Sequence, residues 1–185
     1  MPDSAARATG PAGRGTGGPA AVPQDGDGPA DGRPEAGWTD PECPVARTLD
    51  LVGDRWSLLV IRDAMDGARA FTEFQRRTGI ARNILADRLR KLTAHGLLAQ
   101  RTAPTGRRRE YVLTDAGHAL FPVILTLRQW GEHHAFTPGE PRSTLVDAHG
   151  TPVPVCIPAA ADGTRLDAGT TRVRRPPAAQ EAAGS

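Results

Sequence analysis

Arginine and asparagine side chains gather on one side of a predicted helix in the middle of the chain, at 80–95. Its apolar residues recur at helical spacing and predict one buried stripe, formed by Ile80, Ile84, Leu85, Leu89 and Leu92. The opposite face carries short or basic side chains: Arg82, Asn83, Ala86, Asp87 and Arg90. In the DNA major groove, arginine bonds bidentately to guanine and asparagine to adenine. The face therefore suits base recognition, although an amphipathic helix with charges outside is more often a solvated surface helix.

A second group of arginines follows this helix. Two extended runs, 97–102 and 109–114, flank a turn that contains proline and glycine, and this pattern predicts a β-hairpin. Three consecutive arginines lie at its tip: Arg107, Arg108 and Arg109. A hairpin placed directly behind a recognition helix is a wing, here 103–109. Its arginines would reach phosphates or the minor groove, and a merely solvated turn is the competing interpretation.

Positive charge is concentrated around these two features. From Arg69 to Arg109 the chain has eleven basic and two acidic residues, so this window carries +9, whereas the net charge of the whole chain is only +2. Such a local excess is the electrostatic footprint of a surface that meets a polyanion.

Three short helices are predicted ahead of the basic helix. Pro44 begins the first, which ends at Gly53, and Asp54 caps a second, largely apolar helix that we expect to be central and buried. The S/T-x-x-E/Q pattern of 72–75 predicts a third helix that runs to about 78, after a very short strand at Phe71. With a tight turn at Gly79, the third and fourth helices form a predicted helix-turn-helix.

A long helix is predicted after the wing, from Thr114 to about Phe136, with Pro122 bending it near its first turns. One apolar face follows 116, 120, 123, 124, 127 and 130. A second apolar patch, Phe121 and Leu125, lies on a different face and suggests contact with the same helix of another subunit. Packing of these residues in the core is the equally weighted alternative. The candidate dimer residues are Phe121, Leu125, Arg128 and Trp130.

The two ends of the chain differ in composition from its middle. Residues 1–37 are mainly Gly, Pro, Ala and Asp and predict a disordered leader. Residues 38–136 form the predicted winged helix-turn-helix and dimerisation domain. Turn signals at 148–151 and 161–164 predict a small β-rich extension over 137–175, and 176–185 is a predicted disordered tail. The expected fold class is thus mainly α with a small β-hairpin.

Composition argues against several other classes of protein. No apolar run approaches the roughly 20 residues of a membrane span, and no signal peptide is recognisable, so we expect a cytoplasmic protein. Cys43 and Cys156 are too few for a disulfide scaffold or a zinc site, and the adjacent side chains of His133 and His134 diverge. No phosphate loop or nucleophile elbow occurs, so neither catalysis nor a cofactor or metal is expected.

Many spaced elements together resemble the HxlR-type winged-helix transcriptional regulators over about Cys43 to Phe136. The matching segments, in order, are 43–45 (CPV), 53–59 (GDRWSLL), 69–74 (RAFTEF), 79–81 (GIA), 89–92 (LRKL), 95–97 (HGL), 111–114 (YVLT) and Trp130.

The resemblance implies a homodimer with one winged helix-turn-helix per subunit, which binds an operator in double-stranded DNA and usually acts as a repressor. The first and last helices would hold the dimer. Some relatives sense electrophiles or oxidants through a cysteine at the position of Cys43, where a helix N-terminus can stabilise a thiolate. A capping role for Cys43 is the alternative. For the whole domain, the alternative is a winged helix that binds another protein, with the effector left open.

Overall fold

The computed structural model describes residues 37–103, 106 and 108–175. The elements, in chain order, are α1 (Pro44–Val52), α2 (Arg55–Met65), α3 (Phe71–Thr78), α4 (Arg82–Ala94), β1 (Leu98–Thr102), β2 (Arg109–Leu113), α5 (Asp115–His118) and α6 (Phe121–His134). The expected mainly helical fold with one antiparallel hairpin is confirmed. No helix among the described residues is long and apolar enough to cross a membrane. Predictions for the leader, the tail and Arg107 lie outside the described residues.

Helix α2 is the central element, as the sequence predicts. It contacts α1, α3, α4, α6 and β2, and its Val60, Ile61 and Ala64 are completely buried. Asp54 caps it, because its Oδ1 accepts hydrogen bonds from the backbone N–H groups of Trp56 (2.9 Å) and Ser57 (3.0 Å). The leucines of α4 and Phe74 of α3 belong to the same buried core, so both helices of the helix-turn-helix are packed against α2.

The start of α3 differs from the sequence prediction. The helix begins at Phe71, which is therefore not in a strand, and Ala70 takes the cap position. Glu73, not Gln75, closes the first turn: its Oε2 accepts from the backbone N–H groups of Arg69 (2.8 Å) and Ala70 (3.0 Å). The extended chain before α3 lies beside β2, where the Tyr111 N–H donates to the Arg69 carbonyl at 2.9 Å.

Two glycines set the ends of the helix-turn-helix. Gly79 follows α3 with φ +68°, a left-handed conformation that glycine adopts without strain, and it turns the chain into α4. Ile80 is buried in the connecting loop, so the basic helix begins two residues later than its apolar pattern suggests. Gly96 ends α4, with the Leu97 N–H donating to the Leu92 carbonyl at 2.9 Å, the Schellman arrangement.

The predicted wing is present as the hairpin β1–β2. Its register pairs Leu98 with Leu113 and Thr102 with Arg109. Beyond the strands the Ala103 N–H donates to the Arg108 carbonyl at 2.7 Å. Leu98 and Leu113 are buried against the core, which anchors the base of the hairpin, whereas Gly106 and Arg108 beyond the strands are exposed.

The long helix predicted from Thr114 to Phe136 is wrong, because the structure divides it into α5 and α6 at 119–120. Pro122 has no N–H to continue the ladder, and its ring crowds the carbonyl four residues earlier. Gly117 lies so close to the hairpin base that a Cβ there would stand 2.2 Å from the Leu97 carbonyl oxygen. After the break, Leu120 and Ile124 pack on the core, whereas Val123, Leu127 and Trp130 are exposed.

The turns predicted in the extension are present at Gly150 and Gly163, both with positive φ, but the predicted β-meander is not. Between 137 and 175 the described chain has two isolated bridges, Val146–Pro152 and Ala159–Arg165, in place of strands. Prolines at 152, 154 and 158 cannot donate to a ladder. The extension instead uses α6: Gln129 donates to the Pro154 carbonyl and accepts from the Cys156 N–H, both at 2.9 Å.

Candidate nucleic-acid interface

Helix α4 has one face fixed in the core and one face in solvent. Leu85, Leu89 and Leu92 are completely buried, and the helix packs on α2, α3 and β1. Thirteen residues long, it spans roughly 20 Å. Four of the five residues that the sequence assigns to the outer face are exposed, and the fifth, Asp87, is half-buried: Arg82, Asn83, Ala86, Asp87 and Arg90.

The charged groups of this outer face are organised by Asp87. Its Oδ1 accepts from Arg90 NH2 at 2.7 Å, and its Oδ2 lies 3.4 Å from Lys91 Nζ and 3.8 Å from Arg88 NH1. At the start of the helix, Arg82 stacks its guanidinium over the Phe71 ring, 4.9 Å from the centroid. A cation held over an aromatic face is both oriented and accessible to an anion.

Arg88 has a structural role that the sequence analysis missed. Its side chain is 25% exposed, and its Nε lies 3.3 Å from Oδ1 of Asp54, the cap of α2. The signal was available, since Arg88 falls three residues after Leu85 and four before Leu92, on the buried stripe. It therefore fixes α4 to α2 from the inner side of the helix.

On the wing, the described arginines point their charge into solvent. Arg108 and Arg109 are exposed, and Arg107 lies outside the described residues. Arg109 donates to Gln100 Oε1 at 2.9 Å, and Gln100 Nε2 donates to the Tyr111 hydroxyl at 3.2 Å. This cross-strand chain orients Arg109 without neutralising it.

The excess of positive charge in the window 69–109 is smaller on the surface than along the sequence. Arg77 pairs with Asp66 at 2.6 Å, and Arg88 pairs with Asp54, two carboxylates that precede the window. Arg69 donates to the backbone carbonyls of Ala64 and Ala68. The described cations that are exposed and are not paired with a carboxylate outside this window lie on α3, α4 and the hairpin: Arg76, Arg82, Arg90, Lys91, Arg101, Arg108 and Arg109.

Comparison with known proteins places this arrangement in a family. The profile of the HxlR-like helix-turn-helix family matches residues 51–137. The HTH-type transcriptional regulator Rv3095 of Mycobacterium tuberculosis is 39% identical over 117 residues, which cover 60% of this chain and 74% of that protein. The chain belongs to the HxlR-like helix-turn-helix family. YybR of Bacillus subtilis, also named an HTH-type transcriptional regulator, is 35% identical over 49% of this chain and 74% of its own length.

Solved structures agree with the family assignment. PA1607, a candidate transcription factor, superposes with a TM-score of 0.71 and 48% identity over 74% of this chain and 97% of its own. PA1374 of Pseudomonas aeruginosa gives a TM-score of 0.53 with 38% identity, over 75% of this chain and 96% of its own. Both matches cover more than the family profile does, so the likeness reaches beyond the helix-turn-helix. This HxlR-like protein is thus a transcriptional regulator of the helix-turn-helix class.

The candidate dimer residues of this HxlR-like regulator lie in two different settings. Phe121 (43% exposed) and Trp130 (62% exposed) are free in the described chain to meet a partner. Leu125 is half-buried, and Arg128 donates to the Ser143 carbonyl of the extension at 2.8 Å while pairing with Glu132 at 3.1 Å. Two of the four residues are therefore partly engaged within the chain itself.

Cys43 is the N-cap of α1 in the HxlR-like domain. It is half-buried, and its Sγ accepts from the Ala46 N–H at 3.4 Å. Cys156 is exposed in the extension, and His134 lies against Trp130, with ring centroids 5.0 Å apart. Within the described part of the chain, no group of three or more His, Cys, Asp or Glu side chains is placed to hold a metal ion.

Proposed function

We propose that this HxlR-like regulator binds a specific double-stranded DNA operator as a homodimer and represses transcription. The observation that carries the proposal is the geometry of α4: three leucines buried completely beneath a row of small, polar and basic side chains, followed at once by an arginine-bearing hairpin. An α-helix of this kind fits the major groove, and the hairpin then meets the backbone or the adjacent minor groove.

Each basic group has a proposed role. Arg82, Asn83 and Arg90 read base edges from α4, with Ala86 allowing close approach and Asp87 beside them. Arg107, Arg108 and Arg109 bind phosphates or the minor groove, contacts that set position on the duplex and not sequence. Exposure of Asn83 and Arg90 supports the first assignment, and exposure of Arg108 supports the second.

The proposed dimer uses the first and last helices. Exposed apolar side chains lie one turn apart on each of them: Val45 (68% exposed) and Leu49 (57%) on α1, and Val123 (42%) and Leu127 (51%) on α6. Apolar surface of this kind marks an interaction site more often than chance exposure. Two-fold symmetry would then place two half-sites ~34 Å apart, one helical turn of DNA.

Selection from random duplexes with the purified protein, followed by titration of the enriched sequence and of an unrelated duplex, tests the proposal. For Arg90→Ala we expect a loss of discrimination of roughly 1–3 kcal/mol, if Arg90 contacts a base. For Arg108→Ala we expect a similar weakening on both duplexes. Equal losses on both duplexes for Arg90→Ala would exclude direct readout by that residue.

The second candidate function is a winged helix that binds another protein. Salt dependence discriminates between the two, because phosphate contacts make the logarithm of affinity fall steeply with the logarithm of salt concentration. A protein without any enriched duplex and without a salt-dependent affinity for DNA would favour the second candidate. A reporter gene placed behind the enriched sequence then separates repression from activation.

Cys43 is the proposed point of redox modulation, through an altered dimer geometry when its thiol is oxidised or alkylated. Its position at the N-cap of α1, two residues before the exposed Val45 proposed for the dimer, supports this assignment. Band-shift assays with diamide or a quinone would test it. Unchanged sensitivity in Cys43→Ser would leave the residue with its capping role alone.

A further inference from the structure

The outer face of α4 contains a single carboxylate, Asp87, and that carboxylate is fully engaged. Arg90 occupies its Oδ1 atom, three residues along the helix, and Lys91 approaches its Oδ2 atom, four residues along the helix. The Arg90 and Lys91 side chains are nevertheless 65% and 45% exposed. Both cations therefore lie along the surface of the helix beside Asp87 while remaining accessible to solvent.

A carboxylate on a surface that approaches DNA is repelled by the phosphates. It therefore weakens binding unless it has a separate role. Direct readout is one such purpose, because aspartate can accept a hydrogen bond from the N4 amino group of cytosine. In this structure both oxygens of Asp87 already face cations of its own helix, and Arg88 Nη1 also stands 3.8 Å from Oδ2. The arrangement thus favours a role in holding cations over a role in base contact.

We propose that Asp87 is a positioning residue, which holds Arg90 and Lys91 along α4 and thereby limits their indiscriminate binding to phosphates. The proposal rests on DNA binding by this face. Two long cationic side chains held by one carboxylate lose part of their conformational freedom before DNA arrives, and part of their charge is compensated. Phosphates of any duplex then gain less binding free energy from Arg90 and Lys91. A base that matches the position of the held Arg90 still makes its full hydrogen bonds.

The charge state of Asp87 is consistent with this role. The hydrogen bond from Arg90 is the main cause that holds the pKa of Asp87 below its usual value. Burial opposes this effect but is weaker than the Arg90 hydrogen bond, and Lys91 lowers the pKa further. The carboxylate is therefore ionised throughout the neutral range. The ion pairs of Asp87 with Arg90 and Lys91 are therefore present at the neutral pH at which DNA binding would be measured.

Titration of a mixed-sequence duplex at several salt concentrations tests the proposal with Asp87→Asn. Freed Arg90 and Lys91 can each meet a phosphate, so we expect the slope of log affinity against log salt to steepen by about 0.9 for each phosphate gained. Affinity for this duplex should rise about 2- to 5-fold at moderate salt, the scale of a released surface ion pair. The ratio of affinities for the selected and the mixed duplex should fall.

Two control variants separate position from charge. Glu140→Gln removes one exposed carboxylate from the extension, where Glu140 accepts only from Thr137 among the described contacts, and should leave the slope unchanged. Asp87→Glu keeps the charge and should restore wild-type behaviour. The double variant Asp87→Asn, Arg90→Gln should lose about half of the slope gained, which assigns that part to Arg90.

Failure of this inference is distinguishable from failure of the proposed function. If the wild-type protein binds no duplex in a salt-dependent way, DNA binding itself is wrong. If the wild type binds DNA but Asp87→Asn has the same slope as Glu140→Gln, or binds both duplexes more weakly, Asp87 does not restrain Arg90 and Lys91. A thermal unfolding curve for each variant confirms that the fold is retained.

Discussion

Arg88 on α4 and Asp54 at the start of α2 share an ion pair, with Nε 3.3 Å from Oδ1. The same Asp54 oxygen accepts the two backbone hydrogen bonds that cap α2. One carboxylate therefore stabilises the central helix and fixes the outer helix that carries the proposed base-reading side chains. This ion pair lies beside the buried leucines of α4 and joins α4 to α2 at a second point.

Arg88→Met tests the contact, since methionine keeps an unbranched apolar stem but removes the charge. We expect a loss of about 1 kcal/mol in the free energy of unfolding, near the upper end for a partly exposed pair. Asp54→Asn should cost a similar amount, because asparagine is still a good cap. Asp54→Ala should cost about 1 kcal/mol more, because the cap is also lost. Equal costs for the two Asp54 variants in urea unfolding would contradict a separate contribution from the cap. Wild-type stability of Asp54→Asn and Arg88→Met would contradict a contribution from the ion pair.

Gly117 is required by the close approach of α5 to the hairpin base. In Gly117→Ala the new Cβ would stand 2.2 Å from the Leu97 carbonyl oxygen and 2.9 Å from Leu113 Cδ2. We expect a destabilisation of about 1–3 kcal/mol from this overpacking, measured by urea unfolding. Gly131→Ala is the matched control: it lies within α6 with nothing inside 4 Å of the new Cβ, and helix propensity alone should stabilise it by up to about 1 kcal/mol. A harmless Gly117→Ala would show that α5 can move away.

Glu73 makes the stability of α3 sensitive to acid. Hydrogen bonds from the Arg69 and Ala70 backbone N–H groups are the main cause that lowers its pKa from the usual 4.5. A lowered folded-state pKa contributes stability that is complete above the unfolded value and is lost as pH falls through the folded value. The difference in unfolding free energy between the wild type and Glu73→Gln should therefore shrink below about pH 4.5. A difference that is independent of pH would contradict this linkage.

Gln129 joins the extension to α6 with two hydrogen bonds to its backbone, to the Pro154 carbonyl and from the Cys156 N–H. In Gln129→Ala both backbone groups return to solvent, and we expect faster proteolytic cleavage within 137–175 and little change in the unfolding of the helical domain. Thr126→Ala is the control on the same helix, because Thr126 bonds only to carbonyls of its own helix in the described contacts. Equal cleavage rates in the two variants would show that other contacts, such as Arg128 with Ser143, suffice to hold the extension.

Local signals predicted much of the helical domain correctly. The Asp54 cap, Pro44 at the start of α1, the turn at Gly79 and the end of α4 at Gly96 each follow from backbone chemistry within a few residues, and the structure confirms them. The errors occurred where a local pattern had two solutions. The sequence pattern pairs Thr72 with Gln75, whereas the structure begins α3 two residues earlier, with Ala70 and Glu73 in the corresponding positions. The chain just before this earlier start is held by the hydrogen bond from the Tyr111 N–H to the Arg69 carbonyl.

The face of the last helix could not be predicted from periodicity. A single helix through 115–136 would place Leu120, Val123 and Leu127 on one side. In the structure the helix is interrupted at 119–120, Leu120 packs against the core, and Val123 and Leu127 are exposed. In the sequence, Pro122 is compatible with a single bent helix. The reason for a glycine at 117 is visible only in the structure, where the Leu97 carbonyl lies close to it.

The family, the order of the helices and the outer face of α4 could be read from the amino-acid sequence, because they depend on residue types a few positions apart and on spaced motifs. Which cations remain available depends on packing between distant segments. Arg77 and Arg88 are matched by Asp66 and Asp54, which lie 11 and 34 residues earlier in the chain. A charge count along the sequence cannot include such pairs, since an ion pair depends on a distance of about 4 Å in space and not on separation along the backbone.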